Sequence, residues 1–178
     1  MWNTADRFGW LSRALHWGMA LAILGMLGLG TVLDRMEVNL SNLWLFGLHK
    51  TVGITLLALM VLRLVWHRIS PPPRPLGGVP GWQITAARWT HRAFYGLLLA
   101  VPLSGWIASS ATGIDVMFAD RWGMPALAPV SEAWENAGFA VHGILTKLLA
   151  ALILLHVAGA LKRAIAGDGT LRRMLWGR

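Results

Sequence analysis

Six histidines, His16, His49, His67, His91, His142 and His156, are the residues of this sequence best suited to chemistry, and their spacing narrows what that chemistry is. Five of them open or lie within long apolar runs, where ionisable side chains are rare and usually face the interior for a functional reason. His142 and His156 are fourteen residues apart. At ~100° and ~1.5 Å per helical residue, that interval returns the second ring to nearly the same face ~21 Å further along. One helix face therefore presents imidazoles at two depths. His49 opens another apolar run at the depth of His142, and His16 lies near the start of a third at the depth of His156. Two pairs emerge, His16 with His156 and His49 with His142. Each could grip one iron from opposite sides of a porphyrin lodged between helices. Two histidines on one helix face can also be plain hydrogen-bonding residues between helices; a partner at each depth weighs against that reading.

His91 is left without an obvious partner. It is open to three roles: the true partner of His156 or His16, a donor to a haem propionate, or part of a quinone pocket with Arg88, Arg92 and Tyr95. His67, set among Arg63, Trp66 and Arg68, reads as a boundary residue. With no cysteine in the chain, disulfides, thiolate metal sites and covalently attached haem are excluded, so any metal must be held by histidine or oxygen.

The elements that must position these residues are four apolar stretches, approximately 14–33, 49–66, 91–110 and 142–161. Each is about the ~20 residues needed to cross ~30 Å of hydrocarbon, and at that depth only helices pair their own backbone groups. The expected architecture is an all-α integral membrane four-helix bundle forming one domain over residues 1–178. Composition agrees: 56% of residues are hydrophobic and 13% charged, with a mean hydropathy of +0.54, whereas a soluble domain carries roughly 25% charged residues. The first run ends in Asp34 and Arg35 rather than in a small-residue cleavage site, so it is expected to be retained as a helix.

A net charge of +8 would suit nucleic acid if the basic residues formed a polar stripe. They fall instead mainly between the apolar runs, as charges that set membrane orientation do. Arg7, Arg13, Arg63, Arg68, Arg74, Arg88, Arg92, Lys162, Arg163, Arg172, Arg173 and Arg178 gather on one side. The other side has Arg35 and Arg121 in its loops, Lys50 and Lys147 just inside helix ends, and the acids Asp34, Glu37, Asp115, Asp120, Glu132 and Glu135. Both termini are therefore expected in the cytoplasm. Five prolines between 70 and 81 predict an extended cytoplasmic linker. The loop expected over 111–139 is the longest and is placed to cap a site. Most of the eleven tryptophans sit near the expected water boundaries. Gly25, Gly28, Gly30, Gly53, Gly96, Gly143 and Gly159 allow close approach of a backbone or a flat ring. Pro102 is expected to kink the third helix.

Ser12-Arg13-Ala14-Leu15-His16-Trp17, then His49-Lys50-Thr51-Val52-Gly53 with Arg63-Leu64-Val65-Trp66, then His91-Arg92-Ala93-Phe94-Tyr95 with Pro102 and Gly105, and finally His142 with His156-Val157-Ala158-Gly159-Ala160-Leu161 resemble the bacterial cytochrome b561 family over essentially the whole chain. The layout is also similar to the cytochrome b subunits of formate dehydrogenase and nickel–iron hydrogenase. The resemblance implies a bacterial inner-membrane cytochrome with two b haems, His16 and His156 holding the cytoplasmic one and His49 and His142 the periplasmic one. It further implies electron exchange with ubiquinone and, in one branch, oxidation of periplasmic superoxide. Gly143 departs from the pattern, since many relatives carry an acid after this histidine.

On that footing the expected activity is one-electron transfer, a superoxide:ubiquinone oxidoreductase in type, with Lys50, Lys147, Arg35 and Arg121 steering an anionic donor. Ubiquinone is expected at the cytoplasmic end, against His91, Arg13, Arg88, Arg92 and Tyr95, because its reduction needs hydrogen-bond donors and protons. Two other readings stand beside this one: a membrane-anchor subunit for a soluble dehydrogenase or hydrogenase, and a transporter whose histidines relay protons or bind metal ions.

Overall fold

The computed structural model describes residues 1–78 and 80–177. Val79, inside the expected linker, and Arg178, counted among the basic residues, lie outside the described residues. The chain runs α1 (Trp10–Leu33), α2 (Leu43–Ile69), α3 (Gly81–Ala111), a hairpin of β1 (Met117–Phe118) and β2 (Trp122–Gly123), α4 (Glu132–Ile165) and a short α5 (Thr170–Trp176). The four long helices contain 24 to 34 residues and are apolar enough to cross a membrane.

The helices outrun the apolar stretches. α3 begins at Gly81, not near 91, and α4 at Glu132, not near 142. Hydropathy marks only the part of a helix that must sit in hydrocarbon; the polar turns before it have no reason to stop being helical. Pro80, immediately before α3, suits a helix start. Glu132 and Glu135 suit the positive end of the α4 dipole. The outer loop is accordingly shorter than 111–139, and among the described residues the strands are those of one two-stranded hairpin. α3 continues through Pro102, whose missing N–H leaves the Leu98 carbonyl without its usual helical donor.

Outward faces are apolar and bare: Leu21 and Leu154 are 71% and 72% exposed. A water-facing surface of this kind is a liability, whereas lipid covers it at no cost. Inside, Met19, Ile23, Leu56, Met60 and Leu149 form a small core, with Phe94, Leu98, Val101 and Ile153 against it. α1 lies on α2, α2 on α3 and α3 on α4. The α3–α4 contact is the closest, since a Cβ placed on Gly138 would meet the Ala108 Cβ at 2.8 Å. α4, by contrast, makes little close backbone contact with α1 or α2 among the described residues. That separation is what positions the site.

Both termini meet at one end. Asn3 accepts from the Gly9 N–H and the Ser12 hydroxyl through Oδ1, each at 2.8 Å, and donates through Nδ2 to the Ser70 carbonyl at 2.8 Å. Trp66 Nε1 donates to Ser12 Oγ at 2.8 Å, and Trp2 stacks on Trp66. From the other terminus, Arg13 and Trp17 donate to the Leu175 and Met174 carbonyls, while Arg173 donates to the Arg74 carbonyl. An intramolecular hydrogen bond is worth ~1 kcal/mol net, and more where its loss strands a buried partner. Asn3→Ala is therefore expected to loosen the docked N-terminal segment by about 1–3 kcal/mol. Limited proteolysis of the detergent-solubilised protein would register this as faster cleavage before Trp10; equal rates would remove Asn3 from this role.

Candidate functional site

The histidines expected to pair do face one another. The ring centres of His16 on α1 and His156 on α4 are 6.3 Å apart, and those of His49 on α2 and His142 on α4 are also 6.3 Å apart. An imidazole nitrogen ligates a transition metal at about 2 Å, and the ring centre lies roughly 1 Å behind that nitrogen, so two rings gripping one ion are centred about 6 Å apart. Both pairs have the separation that a shared ion requires. They also span the gap where α4 stands away from α1 and α2, with α4 supplying one ring at each level. Among the described residues, no three His, Cys, Asp or Glu side chains converge as a metal cage. Paired imidazoles suit instead an iron whose remaining ligands come from a macrocycle.

The His142 ring is fixed by its neighbours. Its Nδ1 lies 2.9 Å from the Val101 carbonyl and 3.2 Å from Ser104 Oγ. A carbonyl only accepts, so Nδ1 carries the proton and Nε2 keeps its lone pair for a metal, the usual arrangement behind a ligating histidine. Gly105 gives the ring its room: a Cβ there would lie 3.0 Å from Cε1 and 3.1 Å from Nδ1. Gly30 does the same for His49, whose Cε1 would be 3.4 Å from a Cβ on that glycine. His49 Nδ1 is buried and has no hydrogen-bond partner among the described residues.

The hairpin closes the end of the bundle beyond this pair. Its tip, Ala119 and Asp120, is in the left-handed region at φ 52° in both residues. Ala119 N–H donates to Thr51 Oγ1 at 3.0 Å, and the Asp120 carboxylate lies so near Gly47 that a Cβ there would meet Oδ1 at 2.8 Å. The tip thus rests on the turns of α2 that flank His49. Trp106 Nε1 donates to the Pro125 carbonyl and the Leu127 N–H to Ser110 Oγ, so α3 holds the other side of the same loop.

A profile of the prokaryotic cytochrome b561 family matches residues 7–177. The chain belongs to this family. The protein called Cytochrome b561 homolog 2 of Escherichia coli (strain K12) is 36% identical over 177 residues, covering 97% of this chain and 93% of that protein. Cytochrome b561 homolog 1 of the same organism is 31% identical over 142 residues, 71% of this chain and 72% of that one. This member of the b561 family is therefore a membrane electron-transfer protein, and membership implies b haem.

The remaining expected residues separate. His91 is exposed, with its ring centre 5.7 Å from that of His156, and Phe94 packs on His156 from the same helix at 5.3 Å. Tyr95 does not stand alone: its hydroxyl is 3.1 Å from Nδ1 of His67. His67, expected as a boundary residue, lies in the last turn of α2, half-buried and engaged with Tyr95. Arg13 is held by the C-terminal segment, Arg88 is exposed, and Arg92 lies over the Trp89 ring at 4.9 Å. Arg63, read from sequence only as one of the basic residues beside His67, reaches to 3.4 Å from His16 Nδ1. The signal that could have marked it is an arginine within a long apolar run. Nothing in the sequence marked Ser104, Val101 or Gly105 as the setting of the His142 ring.

Proposed function

We propose that residues 1–178 form one membrane cytochrome unit that carries two b haems and passes electrons singly between superoxide, at the hairpin end, and ubiquinone, near the terminal end. The observation that carries the reading is the repetition of one ring separation, 6.3 Å, at both levels of the gap beside α4. When bound, a haem at each level supplies a reversible one-electron couple. His16 and His156 would hold one and His49 and His142 the other. His91 is not assigned as a ligand, because His16 already gives His156 a partner at the same 6.3 Å separation as the other pair. Both termini lie in the cytoplasm of a bacterial inner membrane, as the distribution of Arg and Lys supports.

The electron balance is simple: two superoxide ions give two molecules of oxygen, and the two electrons with two protons convert ubiquinone to ubiquinol. The chain's own part is to admit the anion, keep water away from the rings and deliver protons. Lys50, Lys147, Arg35 and Arg121 attract the anion at the hairpin end, while the hairpin covers the α2 turns around His49. At the terminal end, His91 and the Tyr95–His67 pair supply donors beside the ring of His156, with Arg88 and Arg92 nearby on α3. Such donors suit a quinone carbonyl and its incoming protons. Arg13 stands behind them, tied to α5 through the Leu175 carbonyl.

The test uses purified protein in vesicles containing ubiquinone, with superoxide generated outside. Quinone reduction is expected, and its rate is expected to fall steeply as salt is raised from about 0.01 to 0.15 M, because the Debye length shrinks from ~30 to ~8 Å. A protein that bears haem yet gives no quinone reduction, and that co-purifies with a soluble dehydrogenase, would establish the membrane-anchor role in place of this one.

A further inference from the structure

Among the described residues, Arg63 has no carboxylate within ion-pair distance. It is half-buried in α2, and its Nε is fully buried with no hydrogen-bond partner. The one ion pair among the described residues, Arg163 with Asp168, lies at the end of α4. α1, α2 and α3 contain no Asp or Glu, and the two acids of α4 fall in its first turn, at the opposite end of the bundle. No carboxylate of the spanning helices can neutralise this guanidinium. At this depth an unpaired charge costs several kcal/mol.

The neighbour that Arg63 does have is a poor one once the site is loaded. Nη2 is 3.4 Å from His16 Nδ1. A guanidinium has only donors. A neutral histidine that ligates iron through Nε2 bears its proton on Nδ1, which makes it a donor as well. Two donors cannot satisfy each other, so the guanidinium needs another acceptor, and among the described residues none reaches its Nε. A b haem brings two carboxylates on its edge, and Arg is the side chain best matched to carboxylate geometry.

Resting on the two-haem reading, we propose that Arg63 binds a carboxylate of the haem held between His16 and His156, and that its charge raises the reduction potential of that haem above what the ligands alone would set. The sign follows from Coulomb's law: ferric haem has one more positive charge than ferrous, so a fixed cation nearby disfavours the oxidised form. Arg63 touches neither superoxide nor quinone in this scheme. It is a positioning residue.

The experiment is potentiometric titration of the purified holoprotein, with haem per chain counted, for wild type, Arg63→Gln and Arg63→Lys. Arg63→Gln is expected to keep one haem potential and to lower the other by about tenfold in its reduction equilibrium, ~59 mV for one electron. Arg63→Lys, which keeps the charge, should restore most of that shift. Loss of one haem from Arg63→Gln but not from Arg63→Lys would support the same role. Unchanged potentials with both haems in Arg63→Gln would overturn the proposal, as would equal damage in the two variants. Wild type with fewer than two haems per chain would instead sink the two-haem reading on which it rests.

Discussion

His142→Ala and His49→Ala are each expected to leave the purified protein with one haem in place of two, and to leave the same one. The rings of these residues are centred 6.3 Å apart, and no other histidine ring packs on either of them among the described residues. Removing either ring therefore leaves a single protein ligand at that level. His16→Ala and His156→Ala should spare the haem between His49 and His142 and lose the other. Quantified haem per chain, with reduced-minus-oxidised spectra of all four variants, reads this directly: the four should fall into two spectral classes of two. The pairing fails if His49→Ala and His142→Ala retain different haems. It fails at the other level if His91→Ala, rather than His16→Ala, removes the haem shared with His156, whose ring also lies near His91.

Gly105→Leu is expected to mimic His142→Ala although it removes no ligand. Any Cβ at 105 would come within 3.0 Å of the His142 ring, which is tethered at Nδ1 to the Val101 carbonyl and cannot turn aside without breaking that bond. A leucine adds three further carbons in the same direction. Disturbing groups that orient a ligating histidine typically weakens metal affinity 10–100-fold, and here the ring itself is displaced. Ser104→Ala removes only the weaker of the two Nδ1 contacts, at 3.2 Å, and should retain both haems. If Gly105→Leu bound two haems with unaltered spectra, His142 would not be held as described.

Much of the arrangement was legible in the sequence because helical periodicity is rigid. Fourteen residues between His142 and His156 fix a common face and two levels, and His16 and His49 fall at matching depths whatever the tilt of their helices. The helix ends were less legible, since hydropathy reports the lipid-crossing part alone and is silent on the turns at 81–90 and 132–141 that continue beyond it. The region around Tyr95 was half legible. Tyr95 and His91 share a helix and could be grouped by spacing, but the contact with His67 depends on how α2 and α3 are rotated against each other. Arg13 shows the converse: it was grouped with His91, Arg88, Arg92 and Tyr95 as a donor at the cytoplasmic end, yet its side chain reaches to a carbonyl 162 residues away. The hairpin contact on Gly47 and Thr51 is fixed by two residues of positive φ, one of them an alanine, a conformation no composition rule assigns to alanine.

The interlocking of Asn3, Ser70, Arg74 and the 173–177 segment also bears on biosynthesis. Arg13 and Trp17 find their partners at Leu175 and Met174, so these contacts stay open until the three long helices that follow α1 have been made. In the proposed two-haem scheme, capture between His16 and His156 is under the same delay, whereas His49 and His142 can meet earlier in translation, so loading should run from the hairpin end toward the terminal end.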